Sequence, residues 1–315
     1  MSDYFSSCRL CPRECGTDRH DKIGVCGGGD KLRVSSAVLH MGEEPPISGD
    51  KGSGTVFFSG CCLRCRFCQN YSISSSNLGR EITLDEFVKI MLDLQSAGAH
   101  NINLVTGTHF IPLIVDGLRL AKSSGLVLPI LWNTGGFESE LGLGLLSGYI
   151  DIYLPDIKTV SPTVSRLLFG TEKYANLVIP AVKSMIKSPV YDESGVMLKG
   201  TIIRHLVLPG LIENTMEVLE VFAREFMDKA ELSLMFQYSR PAELADGAGL
   251  PPRMLKGGLG VTEKEYDAVL DKLDELGIED GFIQELGNNE FWLPDFGKRN
   301  PFPEKFSKPV WHFKR

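Results

Sequence analysis

The chain has 315 residues, of which 43% are hydrophobic and 23% are charged, and this composition excludes a disordered or fibrous protein. Its net charge of −7 argues against a general nucleic-acid binder, and no apolar run reaches the roughly 18 residues of a membrane-spanning helix. The first residues carry neither the basic nor the apolar region of a secretory signal. We therefore expect a cytoplasmic protein with no nucleic-acid and no membrane partner.

Short apolar segments alternate with amphipathic ones from residue 54 onward, whereas residues 1–50 are rich in Cys, Gly and charge. The predicted strands are 55–58, 102–105, 128–132, 149–154, 196–208, 232–236 and 281–286. The predicted helices are 83–97, 111–123, 138–146, 164–186 with breaks near Gly170 and Pro180, 214–229 and 262–276. Two of these helices begin with a capping box, Thr83–Glu86 and Thr262–Glu265. The last 25 residues are predicted to be irregular.

This alternation predicts an α/β fold with a parallel sheet and right-handed crossovers, either open or closed into a barrel. In both cases, the loops at the carboxyl ends of the strands are expected to carry the chemistry. We divide the chain into a small Cys-rich N-terminal metal-binding segment (1–50), an α/β core (51–290) and an irregular C-terminal tail (291–315).

All eight cysteines lie within the first 68 residues and form two groups. The first group comprises Cys8, Cys11, Cys15 and Cys26, and the second comprises Cys61, Cys62, Cys65 and Cys68. In a large chain without a secretory signal, this distribution is typical of metal binding or redox chemistry rather than of a disulfide scaffold.

The second group follows the first predicted strand and contains two overlapping spacings. Cys62, Cys65 and Cys68 begin a bacterial ferredoxin run, but Ser72 stands where that run requires a fourth cysteine. Cys61, Cys65 and Cys68 give C-x3-C-x2-C, and three thiolates leave one iron of a four-iron cluster open. Soft thiolates suit iron–sulfur clusters and zinc alike, so ligand type alone does not decide between them.

The C-x3-C-x2-C motif, with Phe67 as the aromatic residue before Cys68, resembles the signature of the radical S-adenosylmethionine enzymes. Within that superfamily, the chain resembles the pyruvate formate-lyase activating enzyme-like group. The resemblance covers nearly the whole chain and rests on the segments CRLCPRECG, GCCLRCRFCQN, NLVTGTHF, NTGGFE, DIYLPDIK, RHLVLPG, FQY and QELG. The group usually has a polar residue where Cys62 stands, so Cys62 is not an expected ligand.

The resemblance implies a partial (β/α)6 barrel and a [4Fe–4S] cluster held by Cys61, Cys65 and Cys68. It also implies that S-adenosylmethionine binds the open iron through its amino and carboxylate groups. One-electron reduction of that cofactor then yields methionine and a 5′-deoxyadenosyl radical, which abstracts a hydrogen atom from a substrate. No catalytic residue is expected beyond the cluster.

Polar residues at the strand ends are the candidates for binding this cofactor. The predicted cofactor-binding residues are Phe67, Thr106, Gly107, Thr108, Asn133, Asp156, Lys158 and Arg204. The superfamily has a Gly-Gly-Glu-like turn for the amino group where this chain has Thr106–His109, so we expect backbone carbonyls and threonine hydroxyls to replace the acid. For Asp156 and Lys158, a structural salt bridge is the alternative.

Arg204 and His205 are neighbours in one predicted strand, so they face opposite sides of the sheet. An unpaired charge in a core strand is costly. We therefore expect Arg204 to face the barrel interior and to contact the cofactor's carboxylate. Gln237, Tyr238, Gln284 and Glu285 are candidates for the substrate pocket.

The first cysteine group offers four soft ligands over 19 residues, with no position left open. That set suits either a structural zinc or a fully ligated second iron–sulfur cluster. The surrounding residues are too polar to fold by burial alone, so the metal is expected to supply folding free energy. The Cys-Pro and Cys-Gly turns favour zinc slightly.

The resulting prediction is a radical S-adenosylmethionine oxidoreductase, with activation of a glycyl radical enzyme as the candidate role. A radical modification of another protein, a peptide or a small molecule is the alternative within this class. A ferredoxin or flavodoxin is the expected electron donor. An alternative of a different class is a non-catalytic iron–sulfur electron carrier or a zinc-held binding module.

Overall fold

A mixed β-sheet extends through most of the chain, which the computed structural model describes over residues 3–240, 249–255, 260–287 and 293–314. The strands are β1 (Leu32–His40), β2 (Ser53–Phe58), β3 (Arg80–Ile82), β4 (Ile102–Val105), β5 (Ile130–Thr134), β6 (Ile152–Pro155), β7 (Val190–Tyr191), β8 (Met197–Leu206), β9 (Glu231–Met235), β10 (Gly281–Ile283) and β11 (Ser307–His312). The helices are α1 (Pro45–Ser48), α2 (Tyr71–Ser74), α3 (Leu84–Ser96), α4 (Ile111–Ser123), α5 (Glu140–Leu146), α6 (Pro162–Phe169), α7 (Lys173–Met185), α8 (Ile212–Glu225) and α9 (Glu263–Leu276).

Within the described ranges, the strand order is β10-β9-β8-β6-β5-β4-β2-β1-β11. From β2 to β10 each neighbouring pair is parallel, and a helix lies between consecutive strands of this part in the chain. The strand order ends at β10 and β11 without closing. The predicted partial barrel is therefore confirmed, and the carboxyl ends of its parallel strands meet at one end.

Three strands that we did not predict, β1, β3 and β11, extend the sheet beyond β2, and β3 pairs antiparallel with β1. β1 comes from the segment assigned to the Cys-rich N-terminus, and it pairs antiparallel with β2. β11 comes from the tail that we predicted to be irregular, and it pairs antiparallel with β1. The sheet thus continues across both proposed boundaries, at residues 50 and 290.

The helix signals in the sequence were accurate at their starts. Both capping boxes form, at Thr83 with Glu86 and at Thr262 with Glu265. The helical region 164–186 divides at Gly170, as predicted. The predicted break at Pro180 is wrong, because α7 continues through it. Burial of one face of α7 outweighs the roughly 3 kcal/mol cost of an interior proline.

Candidate active site

Cys61, Cys65 and Cys68 line one cavity of about 140 Å³ beside the carboxyl ends of β4 and β5. Their loop follows β2 directly and begins at Gly60, whose backbone has a positive φ of 86°. A Cβ at Gly60 would lie 2.6 Å from the Cys26 carbonyl oxygen, so only glycine fits there. The Cys61 N–H donates to the same carbonyl at 2.8 Å. The N-terminal segment thus fixes the start of the loop.

Burial and the Lys158 ammonium act in opposite directions on the pKa values of the thiols of this cavity. Burial raises the pKa of Cys65 and of Cys68, while the Lys158 ammonium acts in the opposite direction on both. The Ser74 hydroxyl lies 3.2 Å from the Cys68 Sγ. A hydrogen bond from the Cys62 thiol lowers the pKa of Cys61 to about 6, against the effect of burial.

The donor chemistry of these residues fits an iron–sulfur cluster. Within the described residues, no group of three or more His, Cys, Asp or Glu side chains is arranged to hold one metal ion. In a cubane cluster each thiolate binds a different iron, so its ligands need not converge on one point. The thiols of Cys61, Cys65 and Cys68 around one cavity, with the Lys158 ammonium acting on all three, are a donor set that such a cluster can use.

Cys62 lines this cavity as well, and its hydrogen-bond contacts distinguish it from its three neighbours. It is buried, its sulfur lies 3.9 Å from the Phe137 carbonyl oxygen, and its thiol hydrogen-bonds to Cys11 and Cys61. Because these contacts and burial raise the pKa of Cys62, the thiol form is favoured there. Cys62 therefore connects the two cysteine groups of the sequence.

The strand-end residues Thr106, Thr108 and Asn133 line the same cavity as the cysteines. Thr106 has a φ of 60°, a conformation that costs a β-branched residue about 1–3 kcal/mol and that concentrates at functional sites. A Cβ at Gly107 would lie 2.6 Å from Ile114 and 2.9 Å from Trp132. Packing against these side chains is thus sufficient to require glycine at that position.

Asp156 and Lys158 lie between the cluster cavity and a second cavity of about 710 Å³, and they line both. Their side chains form a salt bridge with an N–O distance of 2.6 Å. The backbone N–H of Lys158 donates to the Tyr174 hydroxyl, and this hydroxyl donates to the backbone carbonyl oxygen of Asp156. Lys158 Nζ is 5.9 Å from the ring centre of Phe67, which is buried and lines the large cavity. The salt bridge that we considered as the alternative is present, and it faces the cavities.

Arg204 lines the large cavity. His205 is buried and hydrogen-bonds to the Ile157 carbonyl oxygen and to the Thr215 hydroxyl. Carboxylates of this chain already engage the Arg204 guanidinium. Its Nε donates to Glu44 at 2.7 Å, and its Nη2 donates to Glu43 at 2.5 Å and also to Glu44. The contact between Arg204 and the cofactor's carboxylate stays a prediction, and it would have to coexist with these two ion pairs.

Sequence reasoning missed Glu43 and Glu44 at this site. Both side chains are nearly buried, and Asn103 donates to Glu43 at 2.8 Å. Two adjacent acids before Pro45 were a usable signal, but it could be placed only once β1 was recognised. Among the substrate-pocket candidates, Gln237 and Gln284 line the large cavity and hydrogen-bond to each other.

The first cysteine group lies behind the cluster loop. Cys8, Cys11 and Cys26 are buried and Cys15 is half-buried. Burial raises the pKa of Cys26 to about 11. The metal predicted for this group, with zinc slightly preferred over a second cluster, stays a prediction.

Two arginines of the N-terminal segment hold it against the core. Arg13 donates to the carbonyl oxygens of Cys62 and Leu63, each at 2.9 Å. Arg19 is buried and donates to the His109 carbonyl oxygen at 2.6 Å. One arginine thus fixes the cluster loop, and the other fixes the turn after β4.

Comparison with known proteins gives a consistent result. Residues 55–222 match the family model of the radical SAM superfamily. An uncharacterized protein of Methanocaldococcus jannaschii is 29% identical over 243 residues, which cover 75% of this chain and 67% of that protein.

Two solved structures with similarity to this chain are a crystal structure of Streptococcus suis SuiB bound to precursor peptide SuiA and one of methylornithine synthase (PylB). For SuiB, the TM-score is 0.47 and the identity 14%, over 73% of this chain and 47% of that chain. For PylB, the TM-score is 0.46 and the identity 16%, over 71% of this chain and 60% of that chain. The chain thus spans about half the length of SuiB.

Proposed function

The chain belongs to the radical SAM superfamily, and we propose that Cys61, Cys65 and Cys68 hold its [4Fe–4S] cluster beside a substrate cavity. The superfamily uses such a cluster together with S-adenosylmethionine. When bound, the cluster would pass one electron from an external donor to the sulfonium of S-adenosylmethionine, and the carbon–sulfur bond that breaks would give methionine and a 5′-deoxyadenosyl radical able to take a hydrogen atom from the substrate. The side chains around the two cavities would orient the cofactor and the substrate for this reaction.

The observation that carries this proposal is the connection between the two cavities. Cys65, Cys68, Asn133, Asp156 and Lys158 line both the cluster cavity and the 710 Å³ cavity. The larger volume lies within the usual range of about 300–1,000 Å³ for ligand sites. A cofactor held at the cysteines would therefore lie directly against a substrate bound in the large cavity.

The residues shared by the two cavities have complementary roles in this proposal. The salt bridge to Asp156 holds the Lys158 ammonium beside the cysteines, where it stabilises negative charge. The Asn133 amide can donate to a carboxylate or accept from a ribose hydroxyl. The ring of Phe67 is buried near Phe169, with the ring centres 6.3 Å apart, and its apolar surface would limit the access of water. These roles orient the cofactor and need no acid–base pair.

A protein or peptide is the substrate class that the large cavity supports best, and a glycyl radical enzyme is one member of that class. Gln69, Gln237 and Gln284 bring side-chain amides to the cavity wall, and an amide can pair with both the N–H and the C=O of a peptide backbone. Activation of a glycyl radical enzyme requires hydrogen abstraction from a backbone glycine. A ferredoxin or flavodoxin would supply the electron.

Cofactor cleavage by the anaerobically reconstituted, reduced protein tests the proposal. We expect the wild type to hold four irons at this site and to form 5′-deoxyadenosine from S-adenosylmethionine. Cys61→Ala, Cys65→Ala and Cys68→Ala should each abolish both properties, whereas Cys62→Ala should keep the cluster. A wild type that binds iron without cleaving the cofactor would instead be an electron carrier.

Two further outcomes separate the details of the proposal. Loss of the cluster in Cys62→Ala with retention in Cys61→Ala would show that the ligand spacing is C-x2-C-x2-C. Deuterium transfer into 5′-deoxyadenosine from a candidate protein labelled at glycine Cα would identify a glycyl radical enzyme as the substrate. Transfer from a different residue or from a small molecule would assign the alternative class.

A further inference from the structure

Glu138 lies just after the β5 turn, and its carboxylate is buried beside the cluster cavity. Its Oε1 accepts three hydrogen bonds. They come from the Thr108 hydroxyl at 2.7 Å, the Thr134 hydroxyl at 2.5 Å and the Trp132 indole N–H at 3.1 Å. The ends of β4 and β5 are thus joined through one carboxylate oxygen.

The second oxygen of this carboxylate, Oε2, is buried and has no hydrogen-bond partner among the described residues. Burial raises the pKa of Glu138 to about 7, although the three donors act in the opposite direction. A buried, half-satisfied carboxylate is costly. This unpartnered Oε2 beside the cavity makes Glu138 a candidate for interaction with a bound group.

The two threonine hydroxyls that Glu138 orients are the groups that face the cavity. A hydroxyl has one proton and two acceptor lone pairs, and both Thr108 and Thr134 donate their proton to Glu138. Both residues also line the cluster cavity. One lone pair of Thr134 accepts from the Gly136 N–H at 3.3 Å. The remaining lone pairs make this part of the cavity wall an acceptor surface, with the Glu138 carboxyl group directly behind it.

The acceptor surface lies where the sequence lacks an expected acid. The turn Thr106–His109 follows β4 without a carboxylate of its own, and Glu138 reaches the same turn from the loop after β5. An N–H donor bound in the cavity would meet oriented oxygens rather than hydroxyl protons. The amino group of S-adenosylmethionine is such a donor.

We propose that Glu138 is a positioning residue for the amino group of S-adenosylmethionine, acting by orienting the Thr108 and Thr134 hydroxyls so that their oxygens accept from it. This inference rests on the proposed function, because it requires the cofactor to bind in the cluster cavity. It assigns recognition of the amino group to an acid after β5, whereas the sequence analysis expected the amino-group site in the turn Thr106–His109 after β4.

Calorimetric titration of the cluster-loaded, oxidised protein tests the proposal without turnover. The probes are S-adenosylhomocysteine and an analogue of it in which hydrogen replaces the amino group. We expect Glu138→Gln to lower the affinity for S-adenosylhomocysteine about tenfold, as when a charge-assisted hydrogen bond is lost, and to leave the affinity for the deaminated analogue unchanged. Thr108→Val, which removes one hydroxyl at nearly constant volume, should weaken the same probe selectively.

Asp151→Asn is the matched control for the loss of one negative charge. Asp151 precedes β6 and accepts from the Ile130 N–H at 2.9 Å, at the opposite end of the parallel strands. This variant should bind both probes as the wild type does. Iron content and the free energy of unfolding, measured on every variant, separate a binding effect from a folding effect.

Other outcomes overturn the inference. Equal affinities of wild type and Glu138→Gln, or an equal loss for both probes, would make Glu138 a structural brace. If Glu138→Gln does not fold, unchanged binding by Thr108→Val would overturn the inference in the same way. If the wild type binds neither probe, the proposed function fails as well. If the wild type cleaves the cofactor while the Glu138 variant binds it normally, this inference alone fails.

Discussion

The two cysteine groups are neighbours in the structure, and their surroundings differ. The second group forms the cluster loop, and the first group lies in the N-terminal segment that contacts this loop. In front of the loop, Cys61, Cys65 and Cys68 line a cavity with the Lys158 ammonium beside them. Behind it, the first group is largely buried under its own segment, which is held by arginine contacts to backbone carbonyls. The same ligand type thus occurs in an open and in a closed setting. Location relative to the strand ends, rather than the number of cysteines, indicates which group can meet a substrate.

The largest expected effect concerns the first cysteine group. Replacing all four cysteines of the first group by serine should lower the free energy of unfolding by several kcal/mol, since a structural metal contributes on the order of 10 kcal/mol. Denaturant unfolding of the anaerobic protein measures this change. Unchanged stability would show that the first group binds no metal in the folded protein.

Metal analysis of a chain without Cys61, Cys65 and Cys68 then sharpens the comparison. About one zinc and no iron would identify a structural zinc, and about four irons would identify a second cluster.

Two buried arginines extend the comparison to charge. Arg19, behind the loop, donates to carbonyl oxygens of the backbone, whereas Arg204, in front of it, pairs with Glu43 and Glu44. Arg204→Ala leaves two nearly buried carboxylates unpaired and should destabilise the protein by about 3–5 kcal/mol. Chemical denaturation checks this value.

If Arg204 also binds the cofactor's carboxylate, the affinity for S-adenosylmethionine should fall about ten- to a hundredfold. His205→Ala is the control, because His205 contacts the Ile157 carbonyl and Thr215 instead of the cavity. A larger loss of cofactor affinity in the His205 variant would contradict the assignment. Unchanged affinity in a folded Arg204 variant would leave this arginine a purely structural role.

The sequence predicted the features that depend on neighbouring residues. The cysteine motif, the capping boxes and the alternation of strands and helices are local patterns. β1 was missed because Ser35 and Ser36 are both buried in it, so the strand lacks a regular apolar alternation. β11 was missed because Pro309 argues against a strand, although proline is tolerated at a sheet edge.

The ion pairs of Arg204 could not be predicted for a different reason. They join residues about 160 positions apart, and only the packing of the segment after β1 against β8 brings them together. Glu138 likewise has the sequence pattern of an ordinary helix start. Its role depends on three donors, two from β5 and one from the turn after β4. Such convergence is a property of the tertiary fold.

A smaller effect on stability is expected for Arg13, which joins the N-terminal segment to the cluster loop. Arg13 donates to the carbonyl oxygens of Cys62, Leu63 and Phe169, so it ties the cluster loop to the N-terminal segment and to the end of α6. Arg13→Ala should cost about 1–3 kcal/mol of stability and make the cluster easier to remove. The rate of iron loss to a chelator measures the second effect. A rate equal to that of the wild type would show that the loop is rigid without this contact.

The smallest expected effect is a pH dependence from His109, which lies between the two sides. Its Nε2–H donates to the Ser59 carbonyl at 2.9 Å, and its Nδ1 is buried with no partner among the described residues. Burial lowers the pKa of His109 to about 3, from an ordinary value of 6.5. Between these two values the unfolded chain binds a proton that the folded chain does not. Stability is therefore lost as the pH falls below 6.5, by at most about 1.4 kcal/mol per unit.

His109→Gln removes the titration and keeps a donor close to the position of Nε2. Urea unfolding at about pH 7.5, 6.5 and 5.5, which spans the ordinary histidine pKa, should give a flatter pH dependence for this variant than for the wild type. His20→Gln is the control with the opposite sign, because hydrogen bonds to Asp30 and Asp3 raise the pKa of the exposed His20. Its removal should steepen the loss of stability at low pH or leave it unchanged. If His109→Gln followed the wild-type curve at all three values, His109 would be protonated in the folded protein, and the contact between the two sides would be looser than the structure indicates.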